Sequence, residues 1–195
     1  LHQRLFKCSL LYVFNTYAVT SWPTHCVWSL ASLMEAAEQT IKDIFGFYSV
    51  DAEVLNFTST MDMVPRTIEE QREWIQSRSG AFSAIVACDS ASGAVVGFAS
   101  LSKYKERAAY STTVEDSVYV DRAHHGRGIG HLLLSAICDT ARDGGFHSVI
   151  ARIEASGEGS LALHRSVGFE MIGIERQVGR KFNRWLDVAV MQLML

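Results

Sequence analysis

Residues 125–130 read HGRGIG, with glycine at three alternate positions. The extended run DSVYV precedes this segment at 116–120, and a helical pattern of apolar residues follows it over 129–141. Glycines let a backbone approach a ligand closely, and the free N–H groups and dipole of a helix N terminus favour phosphate oxygens. The order strand, glycine loop, helix therefore predicts a binding site for a ligand that carries phosphate.

Three loop chemistries compete for this segment, besides a simple strand-to-helix turn. A P-loop requires lysine where this chain has His131, which disfavours triphosphate chemistry. A dinucleotide loop requires Gly-x-Gly-x-x-Gly, and here the third glycine comes one residue early. Glu154 stands roughly where such a fold places its ribose-binding acid, so a dinucleotide oxidoreductase stays open. The third pattern, Arg/Gln-x-x-Gly-x-Gly/Ala, is matched by His125, Gly128 and Gly130, with histidine in the first place.

That third pattern is the pyrophosphate loop of the GCN5-related N-acetyltransferases, and further blocks resemble one branch of that superfamily. The branch comprises the phosphinothricin and methionine sulfone/sulfoximine N-acetyltransferases, and the resemblance runs over about 27–195. The blocks, in the family's order, lie at 58–62, 66–74, 116–120, 163–169 and 178–187. The resemblance implies acetylation of the α-amine of a small amino-acid-like substrate, with acetyl-CoA as cosubstrate and no metal.

The fold implied by the resemblance is α/β, a mixed and mostly antiparallel sheet with helices on both faces. Sequence patterns give the element order βααβββαβαββ. Capping boxes predict a helix over 33–45 and another from Thr67 to Ile75. The glycine-loop helix should end near Asp143, and a short helix over 160–167 should end at Gly168. Strands are predicted at 27–31, 81–88, 94–104, 111–120, 149–154, 169–177 and 184–193, with a hairpin turn at 90–93.

Acetyl transfer to an amine needs a group that removes a proton from the ammonium, because only the free amine attacks. The resemblance places this general base at Glu115, which shares one face of an extended strand with Ser117 and Tyr119. His164 is the candidate that protonates the leaving thiolate or holds a water. Without a catalytic role, Glu115 would be an ordinary glutamate on the strand surface, and His164 would be a polar residue that closes the helix face. No cysteine lies in a motif, so direct transfer without a covalent enzyme intermediate is expected.

The resemblance also implies the residues that bind the two substrates. The pantetheine arm pairs with the strand before the loop, and the pyrophosphate lies on the loop. Cofactor-binding residues are expected to be Val118, Tyr119, Val120, His125, Gly126, Arg127, Gly128, Ile129, Gly130, Gly157 and Ser160. Acceptor-binding residues are expected to be Arg107, Ala108, Ala109 and Tyr110, with Arg107 on a carboxylate and Tyr110 on the side chain.

Two departures from the family pattern leave a second function open. Gly157 replaces an asparagine whose side chain normally contacts the cofactor, and His125 replaces Arg or Gln. The alternative is a catalytically weak protein that binds coenzyme A.

Composition bounds the remaining possibilities. The chain has 195 residues, 48% of them hydrophobic, which suits one domain with a single core. The net charge of −3 disfavours nucleic-acid binding, because domains that bind nucleic acids are usually basic. No apolar run approaches the ~18 residues of a membrane span. Cys88 and Cys138 fit buried positions in a reducing compartment, so a cytoplasmic location is expected. The family resemblance implies a homodimer. Residues 1–26 contain no acid and are expected to be an extension outside the domain at 27–195, or a targeting segment.

Overall fold

The structure is a computed structural model that describes residues 9–13, 49–67, 69–70, 73–74, 81–89 and 95–195. Strands in this part of the chain are β1 (Ser9–Val13), β2 (Ala84–Cys88), β3 (Val95–Lys103), β4 (Thr113–Val120), β5 (Ser148–Glu154), β6 (Glu170–Lys181) and β7 (Arg184–Met194). The α-helices with described bounds are α1 (Ser49–Asn56), α2 (Ile129–Asp143) and α3 (Glu158–Val167). Short 3-10 turns at Ala108–Tyr110 and Arg122–His124 flank β4.

The described strands form one mixed sheet in the order β1-β2-β3-β4-β5-β7-β6. Every neighbouring pair is antiparallel except β4 and β5, which run parallel. The predicted α/β fold with a mostly antiparallel sheet is confirmed, and from β2 onward each predicted strand and helix is found within a few residues of its expected bounds. None of the helices in the described ranges is long and apolar enough to span a membrane.

The core lies between the sheet and α2. Leu133, Leu134, Ile137 and Ala141 form the inner face of α2, and each is 0% exposed. They pack against β2, β3 and β4, where Val114 is also fully buried. Burial of each large aliphatic side chain contributes roughly 1.5–3 kcal/mol, so this helix is fixed firmly to the sheet. Its N terminus, which follows β4, is therefore held in place at the edge of the core.

The predicted capping box at Thr67 is present. The backbone N–H of Thr67 donates to Glu70 Oε2 at 2.8 Å, and the N–H of Glu70 donates to Thr67 Oγ1 at 3.2 Å. Residues 69–70 and 73–74 are helical, as the sequence predicts. The predicted strand at 27–31, helix at 33–45 and turn at 90–93 lie outside the described residues.

β1 comes from the segment that sequence analysis places outside the domain. Ser9 pairs with Cys88 and Val13 with Ala84, in an antiparallel register that adds β1 to the edge of the sheet. The domain boundary at residue 27 is therefore a proposal that needs its own test, and this pairing favours a boundary nearer the N terminus.

Deletion of residues 1–26 is expected to lower the melting temperature without weakening coenzyme A binding. The deletion removes the strand paired with β2, whereas the glycine loop follows β4, two strands further into the sheet. A loss of about 2 kcal/mol would lower the melting temperature by roughly 4–8 °C in a domain of this size. Thermal unfolding and calorimetric titration check both parts, and an unchanged melting temperature would support a boundary at residue 27.

Candidate active site

A gap opens between the two parallel strands of the sheet. The pairing of β4 with β5 ends at Glu115 and Ile150, after three residue pairs. Beyond this point β4 continues along β3 to Val120, and β5 continues along β7 to Glu154. The backbone edge of β4 that faces β5 therefore has no strand partner over residues 118–120. A strand edge of this kind binds an extended ligand that carries amide groups.

The glycine loop lies at the wide end of this gap. Gly126 has φ 72° and Gly128 has φ 81°, in the left-handed region that favours glycine. Apart from the adjacent residues of the chain, no atom of the described residues lies within 4 Å of a Cβ built at either position, so the loop surface there is open. The first intrahelical bond of α2 runs from the N–H of Leu132 to the carbonyl of Gly128 at 3.0 Å, which leaves the earlier N–H groups free for a ligand. These features fit a bound pyrophosphate.

The other residues of the loop stabilise its shape. His125 Nε2 donates to the carbonyl of Val120 at 2.9 Å, and Arg127 Nη2 donates to the carbonyl of Ala123 at 3.1 Å. A Cβ at Gly130 would lie 3.1 Å from Leu163 Cδ2. Gly130 therefore allows α2 to approach α3 closely, a packing role that the sequence pattern did not distinguish from ligand approach.

Glu115 stands where the gap begins. Its neighbours on β4, Val114 and Asp116, are buried towards α2, whereas Glu115 is half-buried on the opposite face. Burial raises the pKa of Glu115, the positive charge of Arg152 lowers it, and the carboxylates of Asp116 and Glu175 raise it further. The net result is a pKa above the ordinary glutamate value, which suits a group that accepts a proton near neutral pH.

Tyr119 lies on the same face of β4 and forms a wall of the site. Its ring stacks on Phe98 with centroids 5.1 Å apart, and Phe98 meets Trp74 edge to face at 6.2 Å. Burial raises the pKa of Tyr119, and a hydrogen bond with the Thr60 side chain opposes this. The segment that follows α1 therefore covers the Glu115 face of the sheet through Thr60.

His164 lies on the other side of β4, away from Glu115. Its residue exposure is 4%; Nε2 is 3.1 Å from Asp116 Oδ2, and Nδ1 is 2.7 Å from the carbonyl of Ser160. Both partners offer acceptor oxygens, so the contacts are satisfied when both ring nitrogens carry a proton, as in an imidazolium. Burial lowers the pKa of His164, but the hydrogen bond and charge of Asp116 outweigh it and hold the pKa above its ordinary value. This geometry favours an ion pair that fixes α3 to β4 over a free proton donor.

Replacement of His164 by leucine is expected to destabilise the protein by about 3–5 kcal/mol, because it leaves the buried Asp116 carboxylate without its partner. Asp116 Oδ1 already has no hydrogen-bond partner among the described residues. The pair should contribute its full stability below the ordinary histidine pKa of about 6.5 and lose it as pH rises through the higher folded value. Thermal unfolding from acid to alkaline pH checks this: the wild type should lose stability over that range and the variant should not show this loss. A variant as stable as the wild type at pH 6 would contradict the buried ion pair.

Gly157 and Ser160 lie at the start of α3, beside the carboxyl end of β5. Gly157 is the N-cap residue, and a Cβ there would come 3.0 Å from the carbonyl of Glu154. An asparagine at this position would thus need a small backbone shift, so the close approach of the Glu154 carbonyl favours glycine here. Ser160 contributes its carbonyl to His164, as described above.

The predicted acceptor segment lies at the opposite end of β4 from the glycine loop. Arg107 precedes the 3-10 turn Ala108–Tyr110, all of it exposed, and β4 begins three residues after Tyr110. Tyr110 meets Tyr104 edge to face at 5.8 Å, with Lys105 Nζ 5.1 Å from the Tyr110 ring. The structure thus places this segment before the β4 end that carries Glu115 and separates it from the loop by the length of β4.

Sequence analysis missed several charged groups beside the site. Arg122, just before the glycine loop, donates from Nε to Glu53 Oε1 at 2.5 Å and from Nη2 to Oε2 at 3.0 Å. Lys181 is 2% exposed, and its Nζ donates to the carbonyl of Thr60 at 2.8 Å. These contacts join positions 69 and 121 residues apart, for which a single sequence carries no signal. Together they hold α1 and the segment after it against the Glu115 face of the sheet.

Comparison with known proteins identifies the family. The model of the acetyltransferase (GNAT) family matches residues 52–169, more than half of the chain. The chain belongs to the GNAT family. As a member it is an N-acetyltransferase with acetyl-CoA as cosubstrate, and the gap after Glu115 and the open loop at Gly126 and Gly128 fit that ligand.

Individual GNAT relatives agree with this assignment. An L-methionine sulfoximine/L-methionine sulfone acetyltransferase of Pseudomonas aeruginosa is 37% identical over 165 residues, 85% of this chain and 95% of the relative. A phosphinothricin N-acetyltransferase of Streptomyces coelicolor is 41% identical over 132 residues, 67% of this chain and 77% of the relative. The structure of a phosphinothricin acetyltransferase from Sinorhizobium meliloti in complex with acetyl-CoA superposes with a TM-score of 0.76 at 30% identity, covering 96% of this chain and 88% of that chain.

Proposed function

We propose that this GNAT enzyme acetylates the α-amine of a small amino-acid-like acceptor of the phosphinothricin or methionine sulfone/sulfoximine type. The relatives described above act on such molecules by name. The observation that carries the proposal is the position of Glu115, a half-buried carboxylate of raised pKa at the narrow end of the gap. The predicted acceptor segment at Arg107 and Tyr110 lies beyond that end.

The chemistry follows from the groups on each side of β4. Acetyl-CoA supplies the acetyl group as an activated thioester. Glu115 takes a proton from the acceptor ammonium, directly or through a water, and its charge attracts the incoming cation. The free amine then attacks the carbonyl carbon, and the carbon–sulfur bond breaks. His164 is engaged with Asp116 and Ser160, so we assign the protonation of the leaving thiolate to water and a positioning role to His164.

An acceptor panel tests this proposal. Release of free thiol from acetyl-CoA is measured with L-methionine sulfone, L-methionine sulfoximine, phosphinothricin, an arylamine and a lysine-containing peptide. The proposal expects turnover with the three small α-amino acids and none with the other two. If the protein binds coenzyme A but none of the acceptors causes thiol release, the alternative of a catalytically weak binding protein is supported. Gly157 motivates this alternative, because it has no side chain to reach the cofactor.

We infer further that the enzyme works as a homodimer. β6 is the edge strand of the sheet within the described residues, and five apolar side chains on β6 and β7 are between 40% and 60% exposed. Several exposed apolar side chains on one edge strand are typical of a protein interface. The residues are Met171, Ile172, Ile174, Val178 and Trp185. Light scattering coupled to gel filtration checks the assembly, and a monomer mass at micromolar concentration would contradict it.

We propose a cytoplasmic location. Cys138 is a free thiol in the core, and burial together with nearby Asp116 raises its pKa to about 12. A reduced, unreactive cysteine suits a reducing compartment. Fractionation of cells that produce the protein tests this location.

A further inference from the structure

Arg152 of β5 lies beside the gap on the Glu115 face of the sheet. Ile150 is the last β5 residue paired with β4, and its partner is Glu115. Side chains alternate along a strand, so Arg152 shares the face of Ile150 and Glu115. It lies about 7 Å further along β5 than Ile150, where the two strands have already separated. Arg152 thus borders the gap on the face where the acceptor amine must approach Glu115.

The guanidinium of Arg152 has donors to spare. Its Nη2 donates to Glu175 Oε2 on β6, across β7, and this is the one hydrogen bond of its side chain within the described residues. Arginine carries five N–H donors in a planar fork that matches a carboxylate. The side chains of Arg152 and Glu175 are 38% and 43% exposed, and exposed ion pairs of this kind add little stability. The Arg152 guanidinium can therefore bind a ligand carboxylate in place of Glu175, or together with it, with little loss of protein stability.

Opposite charges stand side by side at this place. Arg152 interacts electrostatically with Glu115, so the candidate base has a positive charge on the neighbouring strand β5. An α-amino acid carries its ammonium and carboxylate on one carbon, and this arrangement matches it: the ammonium faces Glu115 and the carboxylate faces Arg152. We propose that Arg152 binds the acceptor carboxylate and restricts the enzyme to α-amino acids, and that Glu175 competes for the same guanidinium. This inference rests on the proposed function.

Because Glu175 and the ligand compete for Arg152, substitutions at Arg152 and at Glu175 should change KM in opposite directions. Arg152→Gln should raise KM for L-methionine sulfone about 10- to 100-fold, the equivalent of one lost charge-assisted contact. It should leave KM for L-methionine sulfone amide, which has no carboxylate, within about twofold. Glu175→Gln should lower KM for the acid, because the guanidinium loses its competitor. Arg152→Lys should fall between the wild type and Arg152→Gln, since it keeps the charge and loses the fork.

Two control variants complete the experiment. Arg142 is an exposed arginine paired with Asp139 near the end of α2, and Arg142→Gln should change neither KM. Arg107→Gln tests the other candidate for the carboxylate: a KM increase confined to this variant would overturn the assignment to Arg152. The assignment would also be overturned if Arg152→Gln changed KM equally for the acid and the amide. It would be overturned as well if Arg152→Gln and Glu175→Gln changed KM in the same direction, and the pair would then be purely structural. Failure of the proposed function itself is distinguishable, because the wild type would then acetylate neither compound.

Discussion

Gly128→Val is expected to abolish coenzyme A binding in a protein that still folds. Valine at this position places a branched side chain on the open loop surface and disturbs the N–H groups at the start of α2. Loss of two charge-assisted hydrogen bonds to pyrophosphate, at about 1.5–3 kcal/mol each, corresponds to at least a hundredfold weaker binding. Isothermal titration with coenzyme A measures this loss, and unchanged affinity would remove the loop from the cofactor site.

Gly145→Val is the matched control for that variant. Gly145 has φ 78° against 81° for Gly128, and apart from adjacent residues neither position has an atom of the described chain within 4 Å of an added Cβ. Both variants should therefore lose about 1–2 kcal/mol of stability from left-handed backbone strain. Gly145 follows the C-terminal end of α2, far from the loop at its N terminus, so only Gly128→Val should lose affinity. Equal losses of affinity would indicate a general folding defect.

Glu115→Gln is expected to lower kcat/KM by about 10²- to 10⁴-fold, the usual contribution of a general base. Coenzyme A affinity should be preserved, because the loop is untouched. In the wild type, kcat/KM should rise with pH through the raised pKa of Glu115, since only the carboxylate accepts a proton. The variant should recover part of its activity at high pH, where more of the acceptor is already a free amine.

The measurement is a pH–rate profile of both proteins with one good acceptor. Glu170→Gln, at the exposed start of β6, is the control and should match the wild type throughout. If Glu115→Gln reacted at the wild-type rate at pH 7, Glu115 would not be the general base, and bulk water would deprotonate the amine.

Local patterns predicted much of this fold. The glycine loop was predictable because left-handed turns select glycine, and Gly126 and Gly128 both have positive φ. The face of Glu115 followed from strand alternation, and the capping box at Thr67 from its spacing. These features depend on neighbours within a few residues along the chain.

Contacts between distant segments were not predictable from one sequence. The partner of His164 is Asp116, 48 residues earlier, and only their pairing reveals that both ring nitrogens are occupied. Arg152 belongs to no sequence motif, and only the separation of β4 from β5 places it beside the gap. The pairing of β1 with β2 likewise depends on which segment reaches the sheet edge, and no local signal in residues 9–13 specifies that.

Product analysis of a single reaction tests the central claim most directly. The wild-type protein is incubated with acetyl-CoA and L-methionine sulfone; free thiol is titrated, and the amino-acid product is identified by mass spectrometry. The account predicts equal amounts of free coenzyme A and N-acetyl-methionine sulfone, with the acetyl group on the α-nitrogen. Thiol release without an N-acetylated product, or tight coenzyme A binding with no thiol release, would contradict acetyl transfer to this class of acceptor.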